Sequence, residues 1–286
     1  MCELNGVGSG PIVPNDLADH FFPKPVIVGK LKNIPIVAKR QLWSNKILDL
    51  AVTSSGHIVV TGFANTTIYA GDYSLIKDIG RSFWYVTVTS DDQLVFTDVS
   101  STIYFYTADG NHVRDITVTG SSYYLRGIAT LSTGQLVVCD DYTDRVYIVE
   151  QDTGNATPLA DPGKFTRPLY VTTNSKGVVI VSDYAGHSIK GLDTDGKVLF
   201  TYGTYGSGEG QLNFPRGVDT DKEDYIVVAD RSNQRVQLLT PDGMFHSYLL
   251  TKSDGLSDPW AVCINQDGHL LVGDIDGQLF TITYRE

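Results

Sequence analysis

The sequence predicts an all-β fold, a six-bladed β-propeller of four-stranded blades in which an N-terminal strand completes the last blade. Three observations support this prediction: a motif that recurs six times at a fixed internal spacing, short apolar runs separated by tight turns, and a last copy that stops one strand early. The composition agrees, because 42% hydrophobic residues, 19% charged residues and 28 glycines are typical of many short strands joined by turns.

Each copy of the motif starts with a short strand and places a characteristic residue, aspartate in five copies, thirteen positions after the start. The six pairs of positions are Asp49 and Gly62, Tyr85 and Asp98, Gly127 and Asp140, Tyr170 and Asp183, Gly217 and Asp230, and Ala261 and Asp274. The second members of successive pairs are 36 to 47 residues apart, so the interior of the motif is constant and only the connections vary. This pattern indicates repeated hairpins that stack as blades.

Four strands are predicted for each blade. An apolar strand and a turn such as Ser55-Gly56 lead to a second, nearly continuous apolar strand such as residues 58–60. Continuous apolarity indicates burial on both faces, as expected of a blade between two neighbours. A third strand such as residues 103–106, a second turn and a fourth strand such as residues 198–202 complete the blade.

The last copy ends after its third strand, residues 279–282, and lacks a fourth. Two N-terminal segments, residues 26–28 and 34–37, have strand-like sequences, and we expect one of them to pair with the last blade and hide its edge. The predicted organisation is a flexible arm of residues 1–24 and a propeller of residues 25–286.

The fifth copy carries a family resemblance. GEGQLNFPRGV at residues 208–218 and YIVVADRSNQRV at residues 225–236 closely resemble the NHL-repeat consensus. The resemblance implies a propeller like those at the C-terminus of tripartite-motif ubiquitin ligases, where NHL propellers recognise partners or substrates and several bind RNA on one face. The sequence has no RING or B-box pattern of cysteines and histidines, so any ligase activity is expected to lie outside this chain.

The predicted topology brings two sets of loops to one face: those that precede the first strand of each blade and those that follow the aspartate. This face is expected to have a basic and aromatic arc from blades three to five and an apolar arc from blades six, one and two. Trp, Tyr and Arg are the residues that most often anchor interfaces. The candidate partner-binding residues are Arg126, Lys164, Arg167, Tyr170, Tyr184, Arg216, Arg231, Trp84, Trp260 and Phe63. The alternative is a structural role, with tryptophans filling gaps between blades and arginines paired with carboxylates.

The favoured function is non-catalytic recognition of a protein or peptide, as the substrate-recognition part of a tripartite-motif-like ligase. RNA binding, to a stem-loop or a single strand, is the alternative, although a net charge of -11 disfavours loose binding to polyanions. A metal-dependent propeller hydrolase or lyase is the third alternative, but no three of the six histidines converge in the predicted topology. No catalytic residue, metal or cofactor is therefore predicted.

The remaining features indicate a cytoplasmic protein. The three cysteines, Cys2, Cys139 and Cys263, are scattered and odd in number, as expected of free thiols. No apolar run approaches the roughly 20 residues that cross a bilayer, so no membrane partner is predicted. We expect a monomeric propeller that oligomerises only through modules outside this chain.

Overall fold

The computed structural model describes residues 35–42, 46–119 and 124–285. These residues form six four-stranded antiparallel sheets, which confirms the predicted all-β propeller. In five sheets the strand order follows the chain, from the channel outwards. Within the described ranges, no helix is long and apolar enough to cross a membrane, since the helical segments are single 3₁₀ turns.

The four strands of each blade are ordered from the central channel to the outside of the molecule. Blade one contains β2 (Ile47–Val52), β3 (Ile58–Gly62), β4 (Thr66–Tyr69) and β5 (Leu75–Asp78). Blade two contains β6 (Tyr85–Val88), β7 (Leu94–Thr97), β8 (Thr102–Tyr106) and β9 (His112–Thr117). Blade three contains β10 (Leu125–Thr130), β11 (Leu136–Asp140), β12 (Arg145–Val149) and β13 (Ala156–Pro158).

The other three blades follow the same plan. Blade four contains β14 (Pro168–Thr173), β15 (Val179–Asp183), β16 (Ser188–Leu192) and β17 (Val198–Tyr202). Blade five contains β18 (Pro215–Thr220), β19 (Ile226–Asp230), β20 (Arg235–Leu239) and β21 (Phe245–Thr251), with 3₁₀ turns at Arg231–Asn233 and Lys252–Asp254. Blade six contains β22 (Pro259–Ile264), β23 (His269–Asp274), β24 (Gln278–Thr283) and, from the N-terminal side, β1 (Ile36–Gln41).

Burial falls from the second strand to the outermost strand of a blade. Every residue of β11 and β19 is buried, whereas β5 is largely exposed. The buried side chains form the clusters between adjacent blades, for example Val95, Ile103 and Phe105 of blade two beside Leu136 of blade three. Most of the core therefore consists of apolar side chains held between neighbouring sheets.

The propeller closes through the N-terminal strand. β1 pairs antiparallel with β24, from Ile36 opposite Ile282 to Gln41 opposite Gln278. The closing strand thus overlaps the predicted segment 34–37 but extends further along the chain, while segment 26–28 and the arm 1–24 lie outside the described residues. The pairing covers the open side of β24, which would otherwise present unpaired backbone groups.

Adjacent blades approach closely around the channel. A Cβ at Gly127 would stand 2.6 Å from the carbonyl oxygen of Leu169 and from the Cα of Tyr170 in the next blade. A Cβ at Gly217 would likewise stand 2.8 Å from the backbone of blade six. These glycines let the first strands of neighbouring blades pack backbone to backbone.

Candidate functional site

Local interactions fix the loops of the predicted face. The small residue before the aspartate position ties two loops to the preceding blade: the Thr61 hydroxyl donates to the Trp84 carbonyl at 2.9 Å, and Thr97 donates to the Arg126 carbonyl at 2.7 Å. Arg167 has a left-handed φ of 66° and its backbone N–H donates to Asp144 Oδ1 at 2.7 Å. A left-handed non-glycine residue costs free energy and persists where neighbours hold it in place, so this loop is preorganised.

The long side chains on this face form a closed ring around the channel mouth. Phe63 meets Trp84 edge-on with ring centroids 5.0 Å apart. The Arg126 guanidinium lies 5.5 Å from the Trp84 ring, and its Nε pairs with Asp141 Oδ1 at 2.8 Å. Arg167 pairs with the other oxygen of Asp141 at 3.3 Å.

The second half of the ring continues from Arg167, whose guanidinium lies 5.4 Å from the Tyr184 ring. Arg216 lies between two aromatic rings, 5.2 Å from Tyr184 and 3.6 Å from Trp260. Trp260 returns to Phe63 with centroids 6.3 Å apart. We call this set the channel-mouth ring: Phe63, Trp84, Arg126, Asp141, Arg167, Tyr184, Arg216 and Trp260.

The ring contains residues of both expected arcs in the expected order. Blades three to five contribute Arg126, Arg167, Tyr184 and Arg216, and blades six, one and two contribute Trp260, Phe63 and Trp84. Arg126 of blade three reaches back to Trp84 of blade two, and Arg216 of blade five reaches forward to Trp260 of blade six. The planar, weakly hydrated guanidinium stacks favourably on aromatic faces. Side chains that cross the seams between blades therefore join the two predicted arcs at both of their ends.

Three of the ten candidate residues are not members of the ring: Arg231 lies beside it, 5.8 Å from the Trp260 ring, and Tyr170 and Lys164 lie apart from it. Tyr170 is buried, and its hydroxyl donates to the Leu48 carbonyl of blade one at 2.6 Å. Its ring meets Tyr85 edge-on at 4.9 Å, and Tyr170 lines the channel cavity. Lys164 is exposed, and in the described structure only its carbonyl oxygen has a hydrogen-bond partner, Lys190 Nζ at 2.6 Å. Sequence alone did not separate these two from the rest.

Other residues at the mouth were not predicted. Lys46 Nζ lies 5.5 Å from the Phe63 ring and 5.4 Å from the Trp260 ring. The Phe214 ring lies 4.8 Å from Tyr184. Both precede the predicted loop positions by two residues, and a wider window around the start of each first strand would have included them.

Carboxylates pair with most of the arginines at the mouth. Arg126 and Arg167 share Asp141, whose side chain is 7% exposed, and Arg231 pairs with Asp258 at 3.2 Å. Among the described residues, Arg216 has no carboxylate within ion-pair distance. The structural interpretation thus holds for three of the arginines, and Arg216 is the ring arginine that has no described carboxylate partner.

The channel itself holds a second group of polar residues. A cavity of about 220 Å³ is lined by the first strands of all six blades and contains the carboxyl groups of Asp49 and Asp219. Asp49 accepts backbone N–H bonds from Leu50 at 3.0 Å and Val86 at 3.1 Å. The described residues include no group of three His, Cys, Asp or Glu side chains placed to hold a metal ion. The Asp49 carboxyl ties blade one to blade two.

Burial of Asp49 makes the folding stability depend on pH. Burial raises the pKa of the Asp49 carboxyl from 3.8 to about 8, and it raises the pKa of Asp219 to about 6. The folded protein therefore retains a proton that the unfolded chain loses, so the contribution of Asp49 to stability is fully present below pH 3.8 and declines as pH rises towards 8. We expect the melting temperature of the wild type to fall between pH 6 and 8.

Two variants distinguish the titration of Asp49 from the titration of other carboxyl groups. Asp49→Asn, which resembles the protonated carboxyl, is expected to flatten the decline, and Asp267→Asn, an exposed change in a turn of the opposite face, is expected to keep it. Thermal melts at half-unit pH steps give the slopes. Equal slopes for the wild type and Asp49→Asn would show that Asp49 does not retain the proton.

Comparison with known proteins finds relatives among ubiquitin ligases. The chain is 47% identical over 73 residues to E3 ubiquitin-protein ligase TRIM71 of Rattus norvegicus, a match that covers 26% of this chain and 8% of TRIM71. It is 24% identical over 282 residues to E3 ubiquitin-protein ligase TRIM56 of Mus musculus, which covers 95% of this chain and 37% of TRIM56. It is 29% identical over 115 residues to Protein brain tumor of Drosophila melanogaster, covering 38% of this chain and 11% of that protein.

Solved structures share the fold at low sequence identity. Virginiamycin B lyase from Staphylococcus aureus superposes with a TM-score of 0.65 at 11% identity, covering 87% of this chain and 99% of the lyase. The WD40 propeller domain of Doa1 superposes with a TM-score of 0.64 at 12% identity, covering 89% of this chain and 98% of that domain. No family model matches the sequence. The matches span well under half the length of each ligase relative. The chain is thus a six-bladed β-propeller whose sequence is similar to segments of the ubiquitin ligases TRIM71 and TRIM56.

Proposed function

We propose that this propeller is a non-catalytic recognition module that binds a polypeptide partner through the channel-mouth ring. The observation that supports this most strongly is the closed ring of aromatic and arginine side chains on the loops of a rigid scaffold. Loops held by a rigid fold are where such scaffolds place function, and these residue types anchor interfaces. Phe63 is 39% exposed and Arg167 is 52% exposed, so the ring is accessible to a partner.

The relatives suggest the wider setting of this module. TRIM71 and TRIM56 are named as E3 ubiquitin-protein ligases, and the match to TRIM56 covers 37% of its length. In this proposal the present chain selects the protein to be modified, and ubiquitin transfer is carried out by segments not represented in its sequence. Likeness to a lyase at 11% identity supports the fold alone.

The charge pattern favours a polypeptide over RNA. Asp141 pairs with both Arg126 and Arg167, and Asp258 pairs with Arg231, so these arginines already have carboxylate partners. A net charge of -11 adds long-range repulsion of a polyanion. Binding of single-stranded RNA through several of its phosphates would show a log–log salt slope of about -0.7 per contact. Such binding requires several unpaired cations, and Arg216 is the ring arginine without a described carboxylate partner.

Selection from a displayed library of random peptides tests the proposal. Peptides enriched on the wild-type chain are then measured against Phe63→Ser/Tyr184→Ser, which removes two rings from the face. Their affinity is expected to fall at least about tenfold, as loss of an interface anchor would produce. The control is Asp267→Ser/Lys222→Ser, two exposed changes on the opposite face, which is expected to bind as the wild type does.

The same variants also show which result would contradict recognition by the channel-mouth ring. Peptides that bind the ring variant and the wild type equally would place recognition elsewhere on the molecule. A randomised single-stranded RNA pool is titrated in parallel at low and physiological salt. Tight RNA binding that depends on Tyr184, with no ring-dependent peptide, would replace the proposed partner with RNA.

A further inference from the structure

We propose that the Arg216–Trp260 side of the channel-mouth ring is a subsite for one anionic group of the polypeptide partner, either the carboxylate of an acidic side chain or the phosphate of a phosphorylated one. This inference rests on the proposed function and adds the chemistry of the bound group. It follows from three features of this side of the ring: its charge, its unsatisfied donors and the way its guanidinium is held.

The charge at this side is uncompensated. The other arginines at the mouth each have a carboxylate partner at 2.8 to 3.3 Å, whereas no described carboxylate pairs with Arg216. The counter-charge of a half-buried guanidinium normally comes from the protein or from a ligand. Since the described protein supplies none here, Arg216 is available to a ligand.

Three hydrogen-bond donors at this side lack acceptors. The Nε atoms of Arg216 and Arg231 and the indole Nε1 of Trp260 are buried and make no hydrogen bond in the described structure. Both guanidinium groups lie against the Trp260 ring, at 3.6 and 5.8 Å from its centroid, and Trp260 is only 6% exposed. Buried donors are nearly always paired, so a group of three around one indole ring indicates a missing acceptor.

The Arg216 guanidinium is preorganised for an anion. Trp260 lies 3.6 Å and Tyr184 5.2 Å from it, so aromatic rings pack beside the group, and its in-plane Nε–H has no acceptor in the described structure. Arginine binds carboxylate and phosphate oxygens through that planar edge, often with two parallel bonds. Little side-chain freedom remains to be lost on binding.

The surrounding acids limit the site to one anionic group. Asp141 lies on one side of the ring, and Asp258 pairs with Arg231 on the other. A second negative group on the ligand would meet one of these carboxylates. This arrangement suits a single acidic or phosphorylated side chain in a peptide, and it disfavours the repeated phosphates of a nucleic acid.

Defined small probes test the subsite on the full chain. The probes are acetyl-glutamate methylamide, acetyl-phosphoserine methylamide, the neutral acetyl-glutamine methylamide and a twelve-nucleotide single-stranded RNA. The readout is the indole N–H cross-peak of Trp260 in a ¹H–¹⁵N spectrum, assigned by its loss in Trp260→Phe. We expect a saturable shift with at least one anionic probe and none with the glutamine probe. The stronger of the two anionic probes identifies carboxylate or phosphate as the source.

Two arginine variants supply the matched comparison. Arg216→Gln is expected to weaken the anionic probe at least about tenfold, which corresponds to ~1.4 kcal/mol. Arg81→Gln removes an arginine that also lies over a ring, 4.0 Å from Tyr104, but is already paired with Asp98 at 3.0 Å. This variant is expected to retain wild-type affinity. Titrations of the wild type decide the question even if Arg216→Gln fails to fold.

The subsite can fail these tests without failure of the proposed recognition by the ring. A shift with the glutamine probe equal to that with the stronger anionic probe, or no shift with either anion, overturns the subsite proposal. Ring-dependent peptides whose affinity survives replacement of every acidic residue by its amide also overturn it, while leaving recognition by the ring intact. RNA binding lost in Arg216→Gln, without any response to the anionic probes, assigns the arginine to nucleic acid instead.

Discussion

Removal of residues 1–41 is expected to lower the melting temperature by on the order of 10 °C, which corresponds to several kcal/mol for a domain of this size. The deletion takes away β1 and exposes the hydrogen-bonding edge of β24. It also removes Lys39, whose ammonium group lies 4.6 Å from the Phe280 ring. An uncovered strand edge promotes pairing between molecules, so aggregation is expected together with the lower melting temperature.

Deletion of residues 1–20 is the matched control, and its melting temperature is expected to equal that of the full chain. Scanning calorimetry and size-exclusion chromatography provide the two readouts. If the longer deletion melts like the full chain and stays monomeric, the pairing of β1 with β24 does not close the propeller.

Arg235→Ala is expected to cost about 3–5 kcal/mol, because it removes one partner of a buried ion pair and leaves the other charge buried. Arg235 Nε pairs with Asp230 Oδ2 at 2.6 Å, and Asp230 is fully buried. The same guanidinium donates to the carbonyl oxygens of Ser207 at 2.7 Å and Gln211 at 2.9 Å. One side chain thus fixes the loop that leads into blade five.

Arg145 occupies the matching position of blade three and supplies the control. No described carboxylate lies within ion-pair distance of it, and Asp140 instead accepts from the backbone of Tyr142 and from Thr143. Arg145→Ala is therefore expected to cost less than about 1 kcal/mol. Urea denaturation of both variants measures the difference. Similar losses would show that the hydrogen bonds of Arg235 add little to stability.

Most of the fold can be predicted from the sequence repeat. A constant spacing between the start of the first strand and the aspartate position placed the inner strands of every blade, because each hairpin must span the same depth between neighbours. The choice of closing strand was not determined, since residues 26–28 and 34–37 have equal strand character. Only the pairing of Ile36–Gln41 with β24 identifies it.

The site was less predictable, because it depends on where long side chains reach. Topology placed Arg126 and Arg216 on one face, but it could not show that one extends to the preceding blade and the other to the following blade. Tyr170 was nominated as a surface residue, yet it occupies the position equivalent to Asp49 and lies in the channel. The partners that decide its burial, Tyr85 and Leu48, are remote in sequence.

Photo-crosslinking of a library-selected peptide tests most directly whether the channel-mouth ring is the recognition surface. A peptide with a photoreactive residue at successive positions is irradiated on the wild-type chain, and the labelled residues are located by mass spectrometry. Labels are expected in the loops that hold Phe63, Arg167, Tyr184 and Arg216. Labels concentrated in the opposite-face turns at residues 54–57 and 265–268 would contradict the account.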